Sequence, residues 1–308
     1  MKNYFLHIIT FLLLIIGCSN NNTKRNIVTN YGGNSEASPV SLEENIDKTN
    51  YQYDLNNPIR TWDLPSSLME VSGNTWVDKN HLLLIDDRHP NLYLIKIDDK
   101  KAILEKIIPF QNDEKDKFDI EDVTIVDNVV YALWSHGILF KISKWNTNPE
   151  VKEIPTFLSK GNNTEGICYD PVTKNLLIAC KDASGIDGEE KSTKAIYQFN
   201  RITEKIVEEP FLIIHKKDFK TLAGHKLVFY PSAIAVHPIT HNIYLLSTRE
   251  NKCMAIFNRA GALISFQFID ENLMPQPEGI CFSPEGKLYI SSEGKKGDLG
   301  KLLEFEGK

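Results

Sequence analysis

The sequence predicts an all-β protein, a single β-propeller of five four-stranded blades, and three observations predict it. First, Asn163-Thr164-Glu165-Gly166-Ile167-Cys168-Tyr169-Asp170-Pro171 returns as Gln276-Pro277-Glu278-Gly279-Ile280-Cys281-Phe282-Ser283-Pro284. Weaker echoes stand at Glu70-Val71-Ser72-Gly73, Glu121-Asp122-Val123-Thr124 and Pro231-Ser232-Ala233-Ile234-Ala235. Self-similarity at a period of tens of residues marks supersecondary units that stack or radiate. Second, each head opens a series of short apolar runs joined by turn residues, with no helical period, which is the pattern of an antiparallel meander. Third, the last series is one strand short, and one orphan strand precedes the first head. Pairing the two closes a ring, which protects sheet edges that otherwise invite pairing with other chains.

Taken in order, the chain of 308 residues starts with Lys2 and an almost wholly apolar run at 5–16. That run has the length of a signal-peptide core and is too short for a bilayer span of about 20 residues. It ends in Ile15-Ile16-Gly17-Cys18, which resembles the lipobox of bacterial lipoproteins. Residues 1–17 are therefore expected to be a lipoprotein signal peptide and Cys18 the lipidated residue, with more than one acyl chain for stable anchoring. Residues 18–56, rich in Asn, Ser, Thr, Gly and Glu, read as a flexible tether. The propeller domain is expected at 57–308.

The orphan strand is 59–64, stopped by Pro65. Blade one follows with strands at 74–77, 81–85, 92–97 and 101–109. Blade two has 123–126, 129–134, 137–142 and 151–157. Blade three has 167–169, 176–180, 195–200 and 205–212. Blade four has 233–236, 243–247, 253–258 and 263–268. Blade five has 280–282, 287–291 and 301–305, where strand 59–64 completes it. The heads at 70, 121, 165, 232 and 278 lie 44 to 67 residues apart. The long third interval leaves six blades as the alternative, but its excess divides into polar insertions at 182–194 and 215–230, the latter with a short helix at 216–222. Neither offers four strands.

The formal net charge of −6, with no basic stripe, argues against nucleic acid as a partner. Besides Cys18, Cys168, Cys180, Cys253 and Cys281 lie in strand-like runs without CxxC spacing and read as buried thiols, with disulfides as the alternative. No HExxH, GxSxG or glycine-rich phosphate loop is present.

In a propeller blade the first strand lines the central channel, so the residue before it sits at the channel mouth. Glu70, Glu121, Glu165, Ser232 and Glu278 are thus expected to ring one mouth. The loops after the second strands place Asp86, Asp87, Ser135, His136, Lys181, Asp182, Arg249, Glu250, Ser292 and Glu293 around them. Trp134 is the aromatic expected near the mouth. The turns Asp170-Pro171, His237-Pro238 and Ser283-Pro284 face away and read as structural. Converging carboxylates repel unless a bound cation, raised pKa values, or pairing with Lys181 and Arg249 relieves them. Ca²⁺ suits clustered carboxylate oxygens, with Glu165 and Glu278 the candidate metal ligands. Alternatively, each Glu accepts backbone N–H bonds from the next blade and locks the ring.

Six motifs in order, Met69-Glu70-Val71-Ser72-Gly73, Asp119-Ile120-Glu121-Asp122-Val123, Asn163-Thr164-Glu165-Gly166, Ser232-Ala233-Ile234-Ala235-Val236-His237-Pro238, Pro275-Gln276-Pro277-Glu278-Gly279-Ile280 and Leu288-Tyr289-Ile290-Ser291-Ser292-Glu293-Gly294, resemble the SdiA-regulated family over 58–308. The resemblance implies a propeller in the bacterial envelope, with distant likeness to NHL-repeat and calcium-dependent phytase-like propellers. It implies a calcium-linked role for Glu70, Glu121, Glu165 and Glu278. The insertion after Lys181 departs from the pattern and is expected to cover or reshape the mouth.

The functional expectation is a monomeric, membrane-tethered binding or scaffold propeller, periplasmic or surface-exposed, with a protein or small-molecule ligand and a Ca²⁺ site. The alternative is a metal-dependent hydrolase of a phosphoester or lactone, with Glu165 or Glu278 as base. No catalytic residue is assigned, because no nucleophile–base pair is recognisable.

Overall fold

The computed structural model describes residues 52–112 and 118–308, so the expected signal peptide, Cys18 and most of the tether lie outside the described residues. The chain enters through β1 (Arg60–Asp63) and a single 3-10 turn at Ser66–Leu68. Blade one is β2 (Val71–Asp78), β3 (His81–Asp86), β4 (Asn91–Ile97) and β5 (Ala102–Pro109). Blade two is β6 (Ile120–Val126), β7 (Val129–Trp134), β8 (Ile138–Ser143) and β9 (Glu150–Pro155). Blade three is β10 (Thr164–Asp170), β11 (Asn175–Cys180), β12 (Lys194–Asn200) and an outer strand in two pieces, β13 (Lys205–Ile206) and β14 (Leu212–Ile214). Blade four is β15 (Pro231–Val236), β16 (Ile243–Ser247), β17 (Cys253–Phe257) and β18 (Leu263–Phe268). Blade five is β19 (Gln276–Phe282), β20 (Leu288–Glu293) and β21 (Lys301–Phe305), completed by β1.

Five antiparallel blades make the ring, and the long third interval holds no sixth. Closure is the predicted one. β1 pairs with β21, Arg60 opposite Glu304 and Asp63 opposite Lys301. Bonds from Ile59 N to Glu304 O and from Leu64 N to Gly300 O, both 2.8 Å, extend the pairing over 59–64. The first and last strands among the described residues thus share one sheet.

Three boundaries differ from expectation. The outer strand of blade three breaks because Val207 N bonds Gln198 O and Phe211 N bonds Ile196 O, leaving 208–210 looped out between them. Pro210 has no N–H to donate there. The short helix is one turn, α1 (Lys220–Ala223), ended by Gly224 at φ 79°. The folded domain also starts before residue 57: Tyr53 and Leu55, assigned to the tether, are buried in the core. His237 Nδ1 accepts the N–H groups of Ile239 and Thr240, so its Nε2–H donates to the Tyr53 hydroxyl at 2.8 Å. That hydroxyl donates to Gly286 O at 2.5 Å. A segment with two buried apolar side chains and a satisfied hydroxyl belongs to the domain.

The core lies between blades, in five apolar clusters that each fill the gap between two neighbouring sheets. Cys168, Cys180, Cys253 and Cys281 are buried free thiols. The turn at Asp170 is structural as expected: its buried carboxylate takes two bonds from Arg259, at 2.9 and 2.8 Å, which ties blade three to blade four.

Every inner strand carries a bulge at the same place. The register skips one residue between Val71 and Gly73, Ile120 and Asp122, Thr164 and Gly166, Pro231 and Ala233, and Pro277 and Gly279. The extra residues are Ser72, Glu121, Glu165, Ser232 and Glu278. A bulge re-aims one side chain and is common beside functional sites. The residue after it lies against the next blade, which explains the recurring glycine. A Cβ on Gly73 would stand 2.5 Å from Asp122 Oδ1 and 2.7 Å from Asp122 Cα, so blade two would have to move. Gly73→Ala is expected to destabilise the fold by about 2–3 kcal/mol in urea unfolding. Gly161→Ala, whose Cβ would meet only Ser159 Oγ at 3.6 Å, serves as the neutral control. Equal stability of the two variants would refute the close-approach argument.

Candidate functional site

The bulges define the mouth and correct one predicted member. By register the five equivalent positions are Ser72, Glu121, Glu165, Ser232 and Glu278, so Ser72 holds the place expected for Glu70. Glu70 precedes β2, pairs with Arg88 and keeps a 37% exposed side chain farther out on the same face. The signal was legible: Ser72-Gly73 aligns with Glu165-Gly166 and Glu278-Gly279 once the glycine, not the acid, is the guide.

The two serines lock blades. Ser72 Oγ donates to Ile120 O at 2.7 Å and Ser232 Oγ to Pro277 O at 3.0 Å, in each case the residue before the neighbouring bulge. The locking role expected of the glutamates falls instead to Asp122. Its carboxylate, fully buried, accepts Val123 N and Ile167 N, both at 2.8 Å, which ties blade two to blade three.

The three glutamates gather around Lys181. This lysine, expected in the outer ring, lies one residue past β11 and turns inward, where its buried Nζ bonds Glu165 Oε2. Glu165 Oε1 also accepts Asn163 Nδ2 at 2.6 Å. Burial pulls the Lys181 pKa down, but the carboxylates of Glu165, Glu278 and Glu121 outweigh it and the net shift is upward. Burial pushes the Glu165 carboxyl up to about 7, against the pull of Lys181 and Arg249. Glu278 is pushed up to about 8 by burial, with Glu165 and Glu293 adding to it and Lys181 opposing. Glu121 is raised well above its ordinary value by burial and by Glu165 and Asp119. The mouth thus relieves its repulsion by raised pKa values and by one internal ammonium. Among the described residues no three His, Cys, Asp or Glu side chains gather as metal ligands.

Around this centre the expected outer residues take separate roles. Arg249 Nη1 bonds Asp182 Oδ1 at 2.6 Å and stacks over Tyr230. Lys194, buried, donates to Asp182 O and Lys191 O at 2.8 and 3.0 Å and folds the 182–194 insertion onto the rim. Its role was missed, because nothing local distinguishes it from a surface lysine. Asp86 is buried and holds His89 at 2.6 Å and Tyr93 at 3.1 Å. Ser135 Oγ donates to Asp119 Oδ2 at 2.7 Å, and His136 stacks on Trp134 at 4.8 Å. Asp87, pushed up to about 6 by burial and Glu70, lies beside Trp134 and Lys160 in a small rim pocket. Glu293, at about 7 through burial and the charges of Asp87 and Glu70, bonds Gln276. It lines a cleft of about 890 Å³ between blades five and one, together with Glu70, Arg88, Lys252 and Lys295.

The sequence profile of the SdiA-regulated family matches residues 43–295. No curated protein matches the chain at a significant level. Among solved structures, glutaminyl cyclase from Myxococcus xanthus is similar at a TM-score of 0.53 and 13% identity, over 82% of this chain and 96% of that one. Virginiamycin B lyase from Staphylococcus aureus is similar at 0.43 and 15% identity, over 83% and 74%. At 13% identity the likeness to glutaminyl cyclase is one of fold.

Proposed function

The chain belongs to the SdiA-regulated family, and from that premise we propose a binding propeller of the bacterial cell envelope, lipid-anchored through Cys18, whose mouth receives the cationic group of a small-molecule or protein ligand. One observation carries this reading: the buried Lys181 ammonium bonds Glu165 alone, while Glu121 and Glu278, from two other blades, lie within reach of its charge. With Glu293, Asp87 and Asp119 nearby, the mouth concentrates negative potential that draws a cation in and lets these carboxyls ionise.

Calcium held by Glu165 and Glu278 is the inorganic form of this idea. With Lys181 on Glu165, the carboxylates of Glu121 and Glu278 are left to meet an incoming cation. They offer too few oxygens for the roughly six to eight that calcium takes but enough for an organic ammonium. Putrescine, at about 100 times its Kd, is expected to raise the Tm of the full chain by roughly 5 °C. Glu165→Gln with Glu278→Gln should abolish the shift. Stabilisation by Ca²⁺ alone would restore the calcium expectation, and no shift with either cation would remove the cation-binding reading.

A second reading has one observation in its favour. Carboxyls held at about 7 and about 8 suit general acid–base work at neutral pH, as the hydrolase alternative requires. Turnover of a phosphoester or lactone panel, lost in Glu278→Gln, would place catalysis ahead of binding.

A further inference from the structure

At three junctions between blades, on the face opposite the mouth, a large side chain fills the gap. Arg201, from blade three, stacks over Tyr169 and bonds Asp127 of blade two at 2.9 Å. Arg259, from blade four, holds Asp170 of blade three. Tyr53 packs among His237, Tyr244 and Phe282 between blades four and five. Between blades five and one the gap stays open, as a cavity of about 670 Å³. The turns after β2, β4 and β19 rim it, which places it on the side away from the glutamates. Its floor is apolar and aromatic: Trp76, Ile97 and Tyr289, where the core cluster between these blades reaches the surface. Trp76 is half-buried, with its ring 5.3 Å from that of Tyr289, and stands between this cavity and the channel end.

Two departures from the blade pattern meet at this floor. The counterparts of Trp76 by register are Ile125, Tyr169, Val236 and Phe282, so blade one alone puts an indole here. The register between β2 and β3 also skips Val77, whereas the other inner strands pair without a break down to their turns. A bulge re-aims side chains and recurs beside binding sites. Polar groups of both signs surround the indole. Glu304, buried in the blade-five sheet, accepts Arg60 at 3.1 Å, Lys287 at 2.9 Å and the Tyr289 hydroxyl. It thereby fixes two cations whose side chains stay part-exposed along the cavity. Asp78, Lys79 and Asn80, all exposed, stand on one rim turn, and Asp99 and Glu285 on the others.

We infer that this cavity is a saccharide-binding site, taking a neutral sugar ring whose C–H face lies on Trp76 and whose hydroxyls bond Arg60, Lys287 and the acids of the rim. An anionic ligand would meet Asp78, Asp99 and Glu285, and a cationic one Arg60, Lys79 and Lys287. A neutral ring rich in hydroxyls accepts from one set and donates to the other, in charge-assisted bonds. The indole face carries the negative side of its quadrupole and suits the C–H groups of a saturated ring. An aromatic floor with a few polar groups at its edge, in a volume of this order, is the usual make-up of a small-molecule site. The site uses none of the mouth residues, so it stands or fails apart from the cation-binding reading.

The probes are glucose, galactose, mannose and N-acetylglucosamine, each titrated calorimetrically into the full chain up to about 50 mM. At least one is expected to saturate at one molecule per chain. Trp76→Leu should weaken that sugar roughly tenfold or more. If that variant melts abnormally, Lys79→Ala with Asn80→Ala changes only exposed rim residues and should weaken binding several-fold at an unchanged Tm. Glucuronate and glucosamine, which carry one charge each, should bind several-fold more weakly than the best neutral sugar. No saturation by any of the four neutral sugars, or saturation indifferent to these substitutions, would overturn the site. Loss of binding in Glu278→Gln would move the sugar to the mouth and overturn it as well. Tighter binding of either charged sugar would overturn the neutral class of ligand.

Discussion

Lys181→Met is expected to lose about 3–5 kcal/mol of stability at about pH 9 and about 1 kcal/mol at about pH 5. At high pH the carboxylates of Glu121, Glu165 and Glu278 would be ionised with no internal counter-charge, in a site where Glu165 and Lys181 are both buried. Removing one partner of a buried pair is costly because the other charge remains desolvated. At low pH the same carboxyls hold protons, since Glu165 is at about 7 and Glu278 at about 8, and the missing cation has little left to neutralise. Urea unfolding at the two pH values separates this from a packing effect, since the lysine stem is lost at both. An equal loss at both would refute the electrostatic account.

The unmodified protein should itself lose stability as pH rises from about 5 to 9. Its raised carboxyls bind protons in the folded state that the unfolded chain has already released, so folding is favoured at low pH and the advantage disappears through the folded pKa values. Glu165, at about 7 against an ordinary 4.5, contributes about 3 kcal/mol at low pH, which is lost from about pH 4.5 upward, about 1.4 kcal/mol of it above pH 6. Glu278, Glu121 and Glu293 act in the same sense. His237 acts oppositely and lower down. Burial depresses it to about 4 from 6.5, so the unfolded chain takes the proton first and stability falls as pH falls from 6.5. The four raised carboxyls outweigh this one imidazole between about pH 5 and 6.5, so the maximal Tm is expected near pH 5, where the unfolded carboxyls begin to hold their own protons. Glu121→Gln with Glu278→Gln should flatten the alkaline limb and raise the Tm at about pH 9. A wild-type Tm constant from pH 6 to 9 would contradict the assigned protonation states.

Much of this was legible in the chain. The blade count, the inner-strand heads and the closing strand follow from local signals: alternating apolar residues, turn chemistry, and one orphan strand matched by one missing strand. The mouth was legible in part. Glu121, Glu165, Ser232 and Glu278 occupy the predicted positions, whereas Glu70 was chosen because it is an acid. Register selects Ser72, because a bulge is defined by which residue lacks a cross-strand partner. The split at Pro210 escaped because an apolar run does not show where its hydrogen bonds fail. Tyr53 escaped because its polar neighbours resemble a linker, and its partners His237 and Gly286 lie some 180 to 230 residues away.

The sequence by itself determined that five similar sheets form and that the first and last strands meet. Those facts rest on period-two patterning and on counting, which are properties of neighbours along the chain. Only the tertiary structure decided that Lys181 turns inward and that Asp122 rather than a glutamate ties two blades. Each depends on side chains from different blades meeting near one axis, and burial there sets their charge. Distance in space and loss of water, neither written in local sequence, make three ordinary glutamates into one shared protonation site.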